Sequence, residues 1–253
     1  MEVLGIDIGG SGIKGAPVDI AKGELTGDRF RIETPKPAKP EAVIECVSQV
    51  VAHFDWKGPV GCGFPGVCKL GKTYTAANLT PEWIGLDSAE LMKKVTGCDV
   101  ALVNDADAAG LAEATFGAGR DFEGLVVMVT LGTGLGVALI NKGVVVPNME
   151  LGHLKMKDGI VAEKYAAESA KKREDLSWKD YGSRLNEYLL ELEFLLNPDL
   201  IMLGGGASKK FEKYENKLKL SVDVIPASLL NLAGIIGAAY YAHQQFPHVA
   251  SQV

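Results

Sequence analysis

Two stretches of this chain repeat one pattern, an apolar run, a glycine turn and a second apolar run: VLGIDIGGSGIKGAPVD at residues 3 to 19 and VVMVTLGTGLGVALIN at residues 126 to 141. Apolar runs of this length, broken by glycine and resumed at once, read as two strands joined by a tight turn. A chain that carries the unit twice predicts two related halves facing one another, with a boundary near residue 115. Between the two units the chain alternates strand and helix. A strand near Phe30 to Thr34 leads into a proline-rich connection, then a helix from about Glu41 to Phe54, a strand at Val60 to Phe64 and helical spacing from Asp87 to Val95. A strand at Val100 to Val103 and an Ala- and Leu-rich helix from Asp105 to Phe116 complete the first half. The second half continues with a long helix at Lys179 to Leu196, a strand at Leu200 to Leu203, a triple glycine and a closing helix from about Asn231 to Gln244. Such alternation marks an α/β fold.

With 253 residues, 47% of them hydrophobic, the chain can bury one substantial core or two modest ones. No apolar run approaches the roughly 20 residues of a membrane-spanning helix, and the N-terminus lacks the basic and apolar segments of a secretory signal. The expectation is a cytoplasmic chain with no membrane partner. Cys46, Cys62, Cys68 and Cys98 lack CxxC spacing and read as buried, reduced thiols. A net charge of −6 argues against nucleic acid as an unaided partner, because phosphate backbones demand a basic face. Lys171, Lys172 and Arg173 form one short basic cluster and Lys209 with Lys210 another, which suits a local groove but is ordinarily a solvated helix face.

Glycine turns between strands expose backbone N–H groups in one direction, and such nests bind phosphate oxygens. The first offers Gly9, Gly10, Ser11 and Gly12 with Lys14 close by; the second offers Gly132, Thr133 and Gly134 with Thr130. Either turn alone also reads as a simple hairpin. Neither is a Walker A loop, since GxxxxGK[ST] is absent, and neither is a dinucleotide fingerprint, since a strand rather than a helix follows. Asn104-Asp105 falls where a strand passes into a helix, at the carboxyl edge where α/β sheets bind ligands. A carboxylate there can orient a hydroxyl and take its proton in phosphoryl transfer. The same two residues also suit a helix N-cap, and Asp107 suits a surface carboxylate in the first turn. Glu150 and His153, three apart in PNMELGH, share one side of a helical turn and suit neighbouring sugar hydroxyls, or a structural histidine beside a surface acid.

The motifs GIDIGGSGIKG (5 to 15), GFPG (63 to 66), AANLTPEW (76 to 83), NDADAAGLAE (104 to 113), TLGTGLG (130 to 136), ELGHL (150 to 154) and LGGGAS (203 to 208) together resemble the ROK family of sugar kinases, within the actin-like ATPase superfamily. The resemblance implies two α/β domains of the ribonuclease H-like type, residues 1 to 115 and 116 to 253, with a cleft between them. It implies glucose as acceptor, Asp105 as base, and Asn78, Asn104, Glu150, His153 and Glu163 around the sugar. It also implies magnesium near Asp7, reached through water. A homodimer is expected because dimers are the commonest assembly, with the long helix and the closing helix suiting a subunit contact or, equally, the core. The cysteine cluster of the family's structural zinc is missing after His153, so no zinc is expected. That absence is similar to the branch whose donor is inorganic polyphosphate rather than, or in addition to, ATP. A sugar-sensing repressor is the reading from another class. It is disfavoured because the first strand begins at residue 3, leaving no room ahead for a helix-turn-helix, and because Asp105 is present.

Overall fold

A computed structural model of the chain describes residues 1–156 and 159–247. It divides into two compact units, Met1–Ala112 with the chain from Leu232 onward, and Glu113–Asn231. In chain order the first unit contains β1 (Glu2–Ile8), β2 (Ile13–Asp19), β3 (Glu24–Leu25), β4 (Phe30–Ile32), α1 (Pro40–His53), β5 (Val60–Phe64), β6 (Cys68–Lys69), β7 (Lys72–Thr73), α2 (Ser88–Thr96) and β8 (Val100–Asn104). Helix α3 (Asp105–Phe116) carries the chain across the division. The second unit holds β9 (Leu125–Leu131), β10 (Leu135–Asn141), β11 (Val144–Val146), α4 (Ala162–Ala166), α5 (Glu168–Arg173), α6 (Trp178–Leu196), β12 (Leu200–Gly205) and β13 (Asp223–Pro226). The chain then returns to the first unit as α7 (Ala233–Gln245).

The repeat seen in the sequence is a repeat of topology. In the first unit the strand order is β3-β2-β1-β5-β8, with β4 also on β2. In the second it is β11-β10-β9-β12-β13. Each sheet starts from an antiparallel hairpin, β1 with β2 or β9 with β10, and extends by two parallel strands. The parallel strands read as continuous apolar runs because both faces are covered: β5 and β8 are buried at every position. Helix α1 begins with Pro40, whose missing N–H would be an orphan at that position anyway, and buries Val43, Ile44, Val47, Val50 and Val51 on one stripe. Helix α6 is capped by Ser177 and buries Tyr181, Leu185, Tyr188, Leu189 and Leu192 in the core of the second unit. Its other side leaves Leu190, Phe194 and Leu195 exposed.

The sequence predicts one division near residue 115, with the closing helix in the second half. The chain instead divides between Ala112 and Glu113, and α7 packs on β1 and β5 of the first unit. The reason lies in two strand glycines. A Cβ on Gly5 would stand 2.0 Å from the Ile235 carbonyl oxygen, and one on Gly61 would stand 1.8 Å from that of Ala238. The helix backbone therefore rests directly on the sheet, and its small residues are core. The carboxylate of Glu113, fully buried, accepts hydrogen bonds from the N–H groups of Ala118, Ser228 and Leu229 and from the Ser228 hydroxyl. It thus ties the residue at which the chain enters the second unit to the segment by which it leaves. All four cysteines are buried in the first unit, and burial pushes the Cys62 thiol up to about 12.

Gly61→Ala is expected to lower the urea unfolding midpoint of the intact chain, by about 1–3 kcal/mol of stability or more, since helix and sheet must part to admit a methyl group. Gly27→Ala, whose Cβ would find an ordinary 3.8 Å contact with Pro17, is the matched control and should stay within about 0.5 kcal/mol of the parent.

Candidate active site

In the first unit the parallel strands β1, β5 and β8 end at a single sheet edge, where Asp7 pairs with Gly63 and Phe64 pairs with Asn104. Three groups emerge there: the first glycine turn, the GFPG loop and Asn104-Asp105. This is the edge at which open α/β sheets take their ligands.

The first turn is closed by the Ile8–Ile13 pair and by the Gly9 N–H donating to the Gly12 carbonyl at 3.1 Å. The buried hydroxyl of Thr34 donates to the Gly9 carbonyl at 2.5 Å. Lys14 Nζ pairs with Asp7 Oδ2 at 3.2 Å, both half-buried. Asn78, held at φ 61°, lies against the turn: its Cβ is 2.9 Å from where a Cβ on Gly10 would be. That loop is anchored by Trp83, which is fully buried, packs on Phe64 and donates its indole N–H to the Ala38 carbonyl at 3.1 Å.

Asn104 is buried, and its side chain serves the chain itself. Its Oδ1 accepts from the N–H groups of Ala106 at 2.9 Å and Asp107 at 3.0 Å, while Nδ2 donates to the Gly66 carbonyl at 3.1 Å. Asp105, partly exposed, accepts from the Ala106 N–H at 2.8 Å. The N-cap and ligand readings of the Asn-Asp pair are thus divided between two neighbours, Asn104 capping and Asp105 standing at the edge. Asp107 is not the surface carboxylate that its sequence position suggests, because it is 2% exposed.

In the second unit the C-terminal ends of β9 and β12 lie together, Leu131 opposite Gly205. The second turn, Gly132 to Gly134, is closed by the Leu131–Leu135 pair and by the Gly132 N–H donating to Gly134. Thr130 Oγ1 donates to the Gly136 carbonyl at 3.2 Å, inside the hairpin. Ser169 grips this turn from α5, its N–H on the Gly132 carbonyl and its hydroxyl on that of Thr133 at 2.6 Å. Glu163 lies beside the turn, with Oε2 at 2.2 Å from where a Cβ on Gly134 would be. His153 Nε2 is 3.4 Å from Glu150 Oε2, as their spacing predicts, and both are exposed. Gly152 between them presses on the Leu135 carbonyl, which brings the pair to the start of β10.

Ser169 was hidden from the sequence, because nothing in a short polar stretch of helix announces a contact with a glycine turn. Arg31 was hidden too: it sits on a three-residue edge strand with no measurable period, yet its guanidinium donates to the Ser11 carbonyl at 2.8 Å. As for metals, Asp7 is the carboxylate at the first turn, and among the described residues no three acidic, His or Cys side chains converge.

The sequence model of the ROK family matches residues 3–171. The polyphosphate glucokinase of Mycobacterium tuberculosis (strain CDC 1551 / Oshkosh) is 45% identical over 237 residues, 93% of this chain and 89% of that protein. The crystal structure of an inorganic polyphosphate/ATP-glucomannokinase from Arthrobacter sp. strain KM superposes with a TM-score of 0.92 at 46% identity, covering 96% of this chain and 99% of the other. A ROK family glucokinase from Streptomyces griseus, in complex with glucose and AMPPNP, shares the fold at 23% identity and a TM-score of 0.83 over 96% of this chain and 100% of its own.

Asn104→Ala is expected to cost about 1–3 kcal/mol in urea unfolding, because it uncaps α3 and leaves the Gly66 carbonyl without its donor. Asn104→Asp, which keeps the cap acceptor and loses the donor, should fall between the two.

Proposed function

Because the chain belongs to the ROK family, as a sugar kinase of the actin-like ATPase fold, we propose that it transfers the terminal phosphoryl group of inorganic polyphosphate to the 6-hydroxyl of glucose, with Asp105 as general base. The observation that carries this reading is the shared edge of the first unit, where the glycine turn Gly9 to Gly12 follows β1 and the carboxylate of Asp105 follows β8, the two strands that flank β5. A nest of amides holds phosphate, and a carboxylate beside it orients a hydroxyl. The choice of polyphosphate as donor is supported by the relatives of 45–46% identity, one of which takes either polyphosphate or ATP by its name.

In this mechanism the amides of Gly10, Ser11 and Gly12, and those of Thr133 and Gly134, take the donor phosphates, with the hydroxyls of Ser11 and Thr133 assisting, while Gly9, Gly132 and Thr130 use their own donors to keep the two turns in shape. Lys14 balances their charge. Asn78, Glu150, His153 and Glu163 take the sugar hydroxyls, joined by Asn104 through the amide hydrogen that Gly66 does not use. Asp105 accepts the proton of the attacking hydroxyl as the oxygen–phosphorus bond forms. Positioning and charge neutralisation supply most of the rate in such transfers. Magnesium suits Asp7, since that ion is held by one or two carboxylates with phosphate oxygens and water; when bound, it neutralises the phosphate oxygens. The reading also takes the enzyme to be a cytoplasmic homodimer, supported by its buried thiols and by the exposed Leu190, Phe194 and Leu195 of α6.

Glucose 6-phosphate formation with magnesium and nucleotide-free polyphosphate is expected. Turnover with ATP alone would replace the donor, and silence with both would remove the kinase assignment. Asp105→Ala should lower kcat on the order of 10²–10⁴-fold or more while glucose still binds, as followed by tryptophan fluorescence or calorimetry. Substantial residual turnover would take the base role from Asp105.

A further inference from the structure

The strand register places Asp7 opposite Lys14 and Lys14 opposite Arg31. Directly opposed residues of antiparallel strands share a face, so one acid and two bases stand in a row across β1, β2 and β4, beside the first glycine turn. Lys14 has its counter-ion in Asp7 at 3.2 Å. Among the described residues no carboxylate pairs with Arg31. Its Nη2 donates to the Ser11 carbonyl at 2.8 Å, and its Nε and Nη2 lie 2.7 and 2.8 Å from where a Cβ on Gly12 would stand. The guanidinium is thus laid on the turn rather than waving in solvent, although the residue is exposed.

Two like charges directly opposed destabilise a strand pair. A chain of net charge −6 has acids enough to neutralise an arginine, yet this one is fixed by a carbonyl instead. An anion arriving at the turn removes the conflict, since it meets the nest amides, Lys14 and Arg31 together. Arginine suits such an anion, because its planar fork keeps several N–H donors after one has gone to Ser11 and its geometry matches phosphate.

We infer that Arg31 is a donor-binding residue, which grips a phosphate group of the donor at the first glycine turn. The inference rests on the kinase reading above. It also explains why Gly12 is glycine, since a side chain there would push the guanidinium off its seat. The competing role is structural, with Arg31 merely propping the Ser11 carbonyl.

Three variants separate the roles: Arg31→Ala, Arg31→Gln, which can still donate to Ser11 without charge, and Arg31→Lys, which keeps the charge without the fork. With polyphosphate varied at saturating glucose, Ala and Gln should raise the donor KM about tenfold or more, the order of a lost hydrogen bond to a charged group. Lys should raise it less. The KM for glucose and the thermal midpoint should stay at parental values, and the differences should shrink as ionic strength rises. A Gln variant with the parental donor KM would overturn the inference. So would variants that raise both KM values alike while lowering the thermal midpoint, which is the signature of a prop. Should the parent protein itself be silent with polyphosphate, the functional reading fails separately. Arg31 is then judged by calorimetric binding of inorganic tripolyphosphate: weakening of about tenfold in the Gln variant supports it, and unchanged binding overturns it.

Discussion

The Asn104 side chain is the fastening on which the first unit's site depends. Its three hydrogen bonds join the end of β8, the first turn of α3 and the loop after β5. Capping fixes the direction in which α3 leaves the sheet, and so fixes Asp105 at the edge. The bond to Gly66 holds the loop whose Pro65 carbonyl accepts from the Ala77 N–H at 2.8 Å. Asn78 follows in sequence, and Asn78 lies on Gly10. A continuous series of contacts therefore runs from the residue beside the carboxylate to the glycine turn. Only its last link, Asn78 on Gly10, is made by an exposed side chain.

The second unit reaches a comparable turn by other means. Its glycine turn is held from outside by Ser169 of α5 and flanked by Glu163 of α4, while β10 receives the Glu150–His153 segment through the close approach of Gly152. In both hairpins the strands pair fully up to the turn, leaving the turn amides outside the ladder. Amides outside the ladder are a cost in an isolated hairpin and an asset in a phosphate nest. The same backbone geometry thus served twice, with different side chains closing it in.

Much of this was legible in the sequence because it is local. Both glycine hairpins, the β8–α3 junction and the long helix α6 fall where composition and spacing put them. The Glu150–His153 pair follows from helical spacing alone. What stayed hidden is set by long-range contact. The destination of α7 depended on Gly5 and Gly61, more than a hundred residues away, and their meaning as seats for a helix is clear only once the helix is there. The burial of Asp107 depended on the packing around α3, not on its own spacing. Arg31 needed the register of a three-residue strand, a feature too short to leave a period.

The return of α7 has a consequence for how the chain comes off the ribosome. Domains generally fold as units, the N-terminal one first. Here the first unit cannot cover β1 and β5 until residues 233–245 have emerged, because the helix that rests on them is made last. The second unit is contiguous, Glu113–Asn231, and can close its core while its neighbour still waits. During synthesis the N-terminal sheet is therefore left with one side uncovered, the side on which Gly5 and Gly61 later receive the helix. In that interval the order of synthesis and the order of completion are reversed, the second unit being the first that can finish its core.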